Sequence, residues 1–90
     1  MLDKVKLALR LTVNDYDEEI QLLIDDCRLE MQGLGIWADD AQTDIAIIAY
    51  CKWKFGNNSD AERWAAIYRD KIEKLMSMNG YGLGGGDYFD

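Results

Sequence analysis

Apolar residues return every three or four positions along most of the chain, in blocks separated by short polar or glycine-containing breaks. That period is helical, because 3.6 residues per turn bring i, i+3, i+4 and i+7 onto one face. In the first block Val5, Leu7, Ala8, Leu9 and Leu11 alternate with Lys4, Lys6 and Arg10, which predicts a short basic helix over Asp3 to Leu11. Thr12 to Asn14 breaks the pattern. The second stripe is Ile20, Leu23, Ile24, Cys27 and Met31, with Asp25, Asp26 and Glu30 off it. Asn14 or Asp15 is placed to cap this helix, and Asp15 with Glu18 has the spacing of a capping-box variant. Gly33 and Gly35 end it, leaving Leu34 and Ile36 to fold back onto its last turn.

A third helix is predicted from about Asp39 or Asp40 to Phe55. Ile45, Ile48, Ala49 and Lys52 lie on one side of it, and Ile47, Tyr50, Cys51 and Phe55 widen the apolar surface. An apolar girth that wide belongs to a central helix touched from several directions. Gly56, Asn57 and Asn58 make a turn. Ser59 with Glu62 forms a second capping-box pattern, and a fourth helix runs to about Met76 along Trp64, Ile67, Tyr68, Ile72 and Leu75. From Ser77 the stripe stops: "SMNGYGLGGGDYFD" holds five of the eight glycines and is read as non-helical. No proline interrupts any of these helices. The elements predict an all-α fold, a compact bundle of about four helices over 1–76 with an extended glycine-rich C-terminal arm over 77–90. The expected core joins Ile20 and Ile24 to Ile67 and Ile72, against Ile45 and Ile48.

Composition narrows the function. Ninety residues make one small domain, and a domain of that size gains from disulfides, a metal or neighbours. Only Cys27 and Cys51 are present, both inside helical patterns, and there is no histidine, so a disulfide framework and a zinc site are both poorly supported. Oligomerisation is the remaining route. No apolar run approaches bilayer-spanning length, which predicts a soluble chain with no membrane partner. The net charge of −7 argues against a bulk nucleic-acid binder.

The candidate chemistry is thin. Asp15, Asp17, Glu18 and Glu19 crowd one helix start, where the macrodipole favours acids. Read as a calcium loop from Asp15, the segment has Ile20 where glycine is needed and Asp26 where a bidentate glutamate is usual. Capping and solvation explain these acids better than a metal does. Cys27 and Cys51 lack redox spacing, and without histidine the usual nucleophile relay has no base. "GYGLGGG" follows a helix, whereas a phosphate loop follows a strand. The expectation is no catalytic residue, no metal and no cofactor. Trp64 reads as core. Trp37 and Trp53 are either packed on their own domain or interface anchors. Tyr81, Leu83, Tyr88 and Phe89 read as partner-binding residues of the arm, since aromatics favour ordered contacts.

Three segments resemble a family: "DYDEEIQLLIDDCRLEMQGLGI", "DIAIIAYCKWKFG" and "DAERWAAIYRDKIEKL". They are similar to the acidic-start second helix and glycine turn, the middle helix with its "FG" turn, and the last long helix of the small head–tail connector proteins of tailed bacteriophages and prophages. The resemblance covers roughly Lys4 to Leu75. It implies a structural virion protein of the neck, made in the host cytoplasm. Such a protein assembles as a homo-oligomeric ring, usually a dodecamer, beneath the portal protein. The ring extends the DNA channel, lets DNA pass without sequence-specific binding, and docks a further neck or tail-completion protein. The basic first and acidic second helices suggest a head-to-tail charge match, with Lys4, Lys6, Arg10, Asp25, Asp26, Trp37 and Trp53 as possible ring-interface residues. Two rivals stand beside this reading. One is a small helical adaptor or regulator acting as monomer or dimer. The other is a helix-turn-helix module, disfavoured by the balanced charge of the fourth helix.

Overall fold

The computed structural model describes residues 1–55 and 59–79. These form α1 (Leu2–Leu9), α2 (Asp17–Gly33), α3 (Ala41–Lys54) and α4 (Ala61–Asn79), with no strand among the described residues. The all-α expectation holds. α3 packs against all three other helices, most extensively against α4, and α1 also touches α2. This is the central role its apolar girth predicts.

The core is built where the stripes meet. Ile20, Ile24, Cys27 and Met31 of α2 are buried against Ala46, Ile47, Tyr50 and Cys51 of α3, with Tyr68, Ile72 and Leu75 of α4 in the same cluster and Val5 of α1 also within it. Each fully buried large aliphatic side chain contributes about 1.5–3 kcal/mol. The predicted phase of α3 is corrected. Ile45 is exposed and Ile48 only half-buried, while Ala46 and Ile47 carry the packing. An apolar run of IAIIAYC offers several possible faces, and the face that meets both α2 and α4 wins.

The helix ends differ in instructive ways. α2 closes with Gly35 in the left-handed region at φ 85°, with Ile36 N–H donating to Met31 C=O and Gly35 N–H to Gln32 C=O. This is a Schellman ending, and Ile36 is buried as the motif's hydrophobic partner. α1 closes with the same pattern, Leu11 N–H to Lys6 C=O and Arg10 N–H to Leu7 C=O, yet its left-handed residue is Arg10, at φ 61°. The predicted first helix is thus shortened to end at Leu9. α3 starts at a reciprocal capping box. Asp40 Oδ1 accepts from Gln42 and Thr43 N–H at 2.9 and 3.1 Å, and Thr43 Oγ1 accepts from Asp40 N–H at 2.9 Å. The buried Thr43 hydroxyl is satisfied by donating to Asp40 C=O.

Two predicted caps are corrected. α2 starts at Asp17 with Tyr16 in the cap position and no side-chain cap. Asn14 Oδ1 and Asp17 Oδ1 instead hold the Lys6 ammonium at 2.7 and 2.9 Å. A charged donor outcompetes a neutral backbone N–H for those oxygens. Tyr16 also sets its ring edge-on to Phe55, 5.5 Å between centroids, which fixes the chain at this entry. α4 starts after Asp60, whose C=O accepts from Trp64 N–H, so Ser59 lies one residue too early to pair with Glu62 as a box. At its far end α4 runs through Ser77 to Asn79, three residues past the expected stop. None of the described helices is long and apolar enough to cross a membrane.

Candidate functional site

α1 delivers its lysines to the chain's own acids. Lys4 Nζ lies 2.7 Å from Asp44 Oδ2, and that hydrogen bond raises the lysine's pKa from its ordinary value. Lys6 is largely covered between Asn14 and Asp17, joining α1 to the start of α2. Of the three basic residues proposed for a ring contact, Lys4 and Arg10 stay exposed, Lys4 with its ammonium on Asp44 and Arg10 at the α1 cap. Asp25 lies on the outer side of α2 and accepts from Gln21 Nε2 at 2.9 Å. Asp26 accepts the Tyr50 hydroxyl of α3.

That bond leads into an aromatic cluster. Tyr50, Trp53 and Tyr68 stand edge-on or tilted, with centroids 5.1–6.0 Å apart. Lys54 Nζ lies 4.2 Å and Arg69 5.5 Å from the Trp53 ring, so two cations cover its outer surface. Trp53 therefore packs on its own domain, half-buried, and its charged rim faces out. Asp26 and Trp53 are brought together through Tyr50. Trp37 stands apart, 72 % exposed in the α2–α3 connection. It borders a cleft of about 280 Å³ with Arg28, Gln32 and Asp39. Tyr81, Leu83, Tyr88 and Phe89 lie outside the described residues.

The chemistry of the interior is inert. Burial pushes the Cys27 and Cys51 thiols up to about 12, so both are protonated at neutral pH and shielded from reagents. Burial likewise raises Tyr50 and Tyr68; the bond to Asp26 adds to the shift at Tyr50. Cys27 Sγ sits 3.9 Å from the Tyr68 hydroxyl, a weak contact inside the core. Among the described residues no three His, Cys, Asp or Glu side chains converge as a metal site. The acids at the start of α2 serve the helix dipole and Lys6.

A feature the sequence reading passed over is the outer side of α2. Leu22 and Leu29 are 69 % and 67 % exposed, flanked by Glu18, Asp25 and Asp26. The signal was present. Glu18, Leu22, Asp25 and Leu29 repeat the 4-3-4 spacing of Ile20, Ile24, Cys27 and Met31, shifted by two residues. Two residues are about 200° around a helix, so the second stripe faces away from the core. On the other side, Ala8, Leu9, Arg10, Lys52, Asp60 and Trp64 line a cleft of about 290 Å³, with Lys52 Nζ 4.5 Å from the Trp64 ring centroid. The arrangement leaves charged and apolar side chains at the surface, and among the described residues it brings together no nucleophile and base.

The sequence matches the family described as phage connector protein over residues 1–81. No curated protein and no solved structure matches it. The chain belongs to the phage connector family.

Proposed function

We propose that this phage connector protein builds a ring, of twelve copies in the virion, beneath the portal at the DNA-exit vertex. Membership of the family makes it a structural component of the phage head–tail junction, working among other head and tail proteins. The family match over residues 1–81 is the observation that carries the proposal. The chain's own physics supports it. A ninety-residue helical domain leaves Leu7, Leu22, Leu29 and Trp37 at its surface, where neighbours would cover them. Its charge of −7 lets DNA slide through a channel without being held.

In this reading the ring lengthens the DNA channel and presents its free face to a further neck or tail-completion protein. The protein is made in the host cytoplasm and ends in the virion neck. The arm from Asn79 onward, through Tyr81, Leu83, Tyr88 and Phe89, grips the portal or its neighbour. A single glycine-rich arm binds weakly because ordering glycines costs backbone entropy, and a ring compensates because each engaged arm raises the effective concentration of the next. Electron microscopy of the protein mixed with portal-bearing heads tests the proposal. A ring of density on the portal supports it. Binding of single copies away from the vertex would instead favour a monomeric or dimeric adaptor.

A further inference from the structure

The cleft beside Trp37 joins an apolar floor, an aromatic wall and one unbalanced cation. Met31, Ile36 and Ile47 line it from the core side and are buried. Trp37 is largely exposed and makes no ring contact among the described residues. Arg28 is half-buried on the rim and has no acidic partner among the described residues. The rim's one acid, Asp39, is close enough to Lys4 to favour that lysine's charged form, so its own charge is partly offset. Tryptophan and arginine are the side chains that most often anchor a protein contact. A volume of about 280 Å³ takes a few side chains of an extended segment; a helix about 10 Å across does not fit.

The chain itself carries a matching segment. Beyond α4 the sequence runs "GYGLGGG" and then "DYFD", two aromatics between two acids. The fold puts that segment within reach. Lys52 meets Trp64 and Gln42 meets Lys71, so α4 runs back along α3. α4 therefore ends at the end of the bundle where α3 starts, and Asp39 and Thr43 place the cleft at that same end. From Lys71 to Asn79, α4 continues for eight residues, about 12 Å. The cleft lies about one helix spacing, roughly 10 Å, to the side. Seven residues, Gly80 to Gly86, join Asn79 to Asp87. A glycine-rich connection of that length spans about 14 Å r.m.s. and about 23 Å at full extension, which covers the return. Five of the seven are glycine, which admits the reversal of direction after α4. We infer that the segment Asp87 to Asp90 seats in the Trp37 cleft of its own subunit. Tyr88 and Phe89 pack on Trp37 and the apolar floor, and an Asp carboxylate meets Arg28. A tether this short gives the segment an effective concentration of about millimolar, which favours the chain's own cleft over a separate copy's. The free subunit thus covers the two aromatics, and a portal that binds the arm must take it from the cleft. The docking itself does not depend on the ring.

Magnetic resonance of the full chain tests this. In the nitrogen-labelled protein, Y88A with F89A should shift the Trp37 indole and Arg28 Nε resonances. The Trp53 and Trp64 indoles should stay in place, which also shows that the fold is intact. R28E should shift the Trp37 indole in the same way, and so should D87K with D90K. The three charge changes in one chain should bring the Trp37 resonance back toward its original position, because the signs match again. The contact is small beside the helical core, so the melting temperature hardly registers it. A nitroxide settles which copy's arm is seated. The native thiols are buried, so the label goes to the cysteine of G86C. It should broaden the Trp37 indole of its own chain. Mixed with an equal amount of nitrogen-labelled chain that carries no nitroxide, it should leave the Trp37 indole of that chain sharp. Broadening across chains would give the cleft to another copy's arm and overturn the intramolecular docking. A Trp37 resonance indifferent to Y88A and F89A would overturn the docking altogether. Capture of portal-bearing heads is scored separately. An undocked arm on a chain that still captures heads would sink the docking and leave the proposed function standing; a docked arm on a chain that captures none would do the reverse.

Discussion

Arg10 occupies the backbone position that Gly35 occupies in the next helix ending, and the two can be compared directly. In the left-handed region an L side chain costs about 1–2 kcal/mol, a penalty glycine escapes. R10G should therefore raise stability by about 1 kcal/mol in denaturant melts, and a loss would mean that the arginine side chain makes a contact worth more than the strain. The buried thiols and phenols make a second prediction. Cys27 and Cys51 titrate near 9 when unfolded and near 12 in the fold, and Tyr50 and Tyr68 are raised above their ordinary 10. The fold thus keeps protons that the unfolded chain gives up. Stability is full below about pH 9 and falls as pH climbs through that window and the raised phenol range above it. Urea midpoints measured from about pH 8 to 11 should drop steadily; a flat profile would contradict the burial of these groups.

Individual helices are where the sequence was most and least informative. I24A removes a side chain sealed in the core and should cost about 2–5 kcal/mol. I45A should change the melt by no more than about 0.5 kcal/mol, because Ile45 is on the surface. Equal losses would restore the sequence-derived face of α3. Helix starts divide the same way. D40A breaks a two-way box and should cost about 1 kcal/mol, whereas D15A touches no cap and should be near neutral. The existence and order of all four helices were legible because spacing is a local property. The stripe of α2 and its Gly35 ending were read correctly for that reason. The phase of α3 was not legible, because IAIIAYC satisfies several faces and only contact with α2 and α4 selects one. The start of α2 was missed because Lys6, eight residues upstream, takes the side-chain oxygen of the candidate cap Asn14. The Asp40–Thr43 box was open to inspection but its Thr lies outside the familiar Glu or Gln pattern.

For the whole molecule, the family was legible in three segments, while the surfaces that serve it were only half so. Charge signs could be counted along α1 and α2; that Lys4 and Lys6 are engaged inside the chain depends on how the helices fold together. Deleting Tyr81 to Asp90 should leave the melting temperature nearly unchanged, because the described core is complete by Leu75, and should abolish capture of portal-bearing heads. Loss of helical signal on deletion, or undiminished capture, would each refute the arm's role. The sealed cysteines carry a last consequence. A thiol reagent can reach Cys27 on α2 or Cys51 on α3 only when the helices part, so the native protein carries two internal clocks of its own opening. Labelling that proceeds at one rate for both would mean that α2 and α3 separate from the bundle as a unit. Faster labelling of one would identify the helix that breathes first, and slower labelling after neighbours are added would measure how much each new contact steadies the subunit.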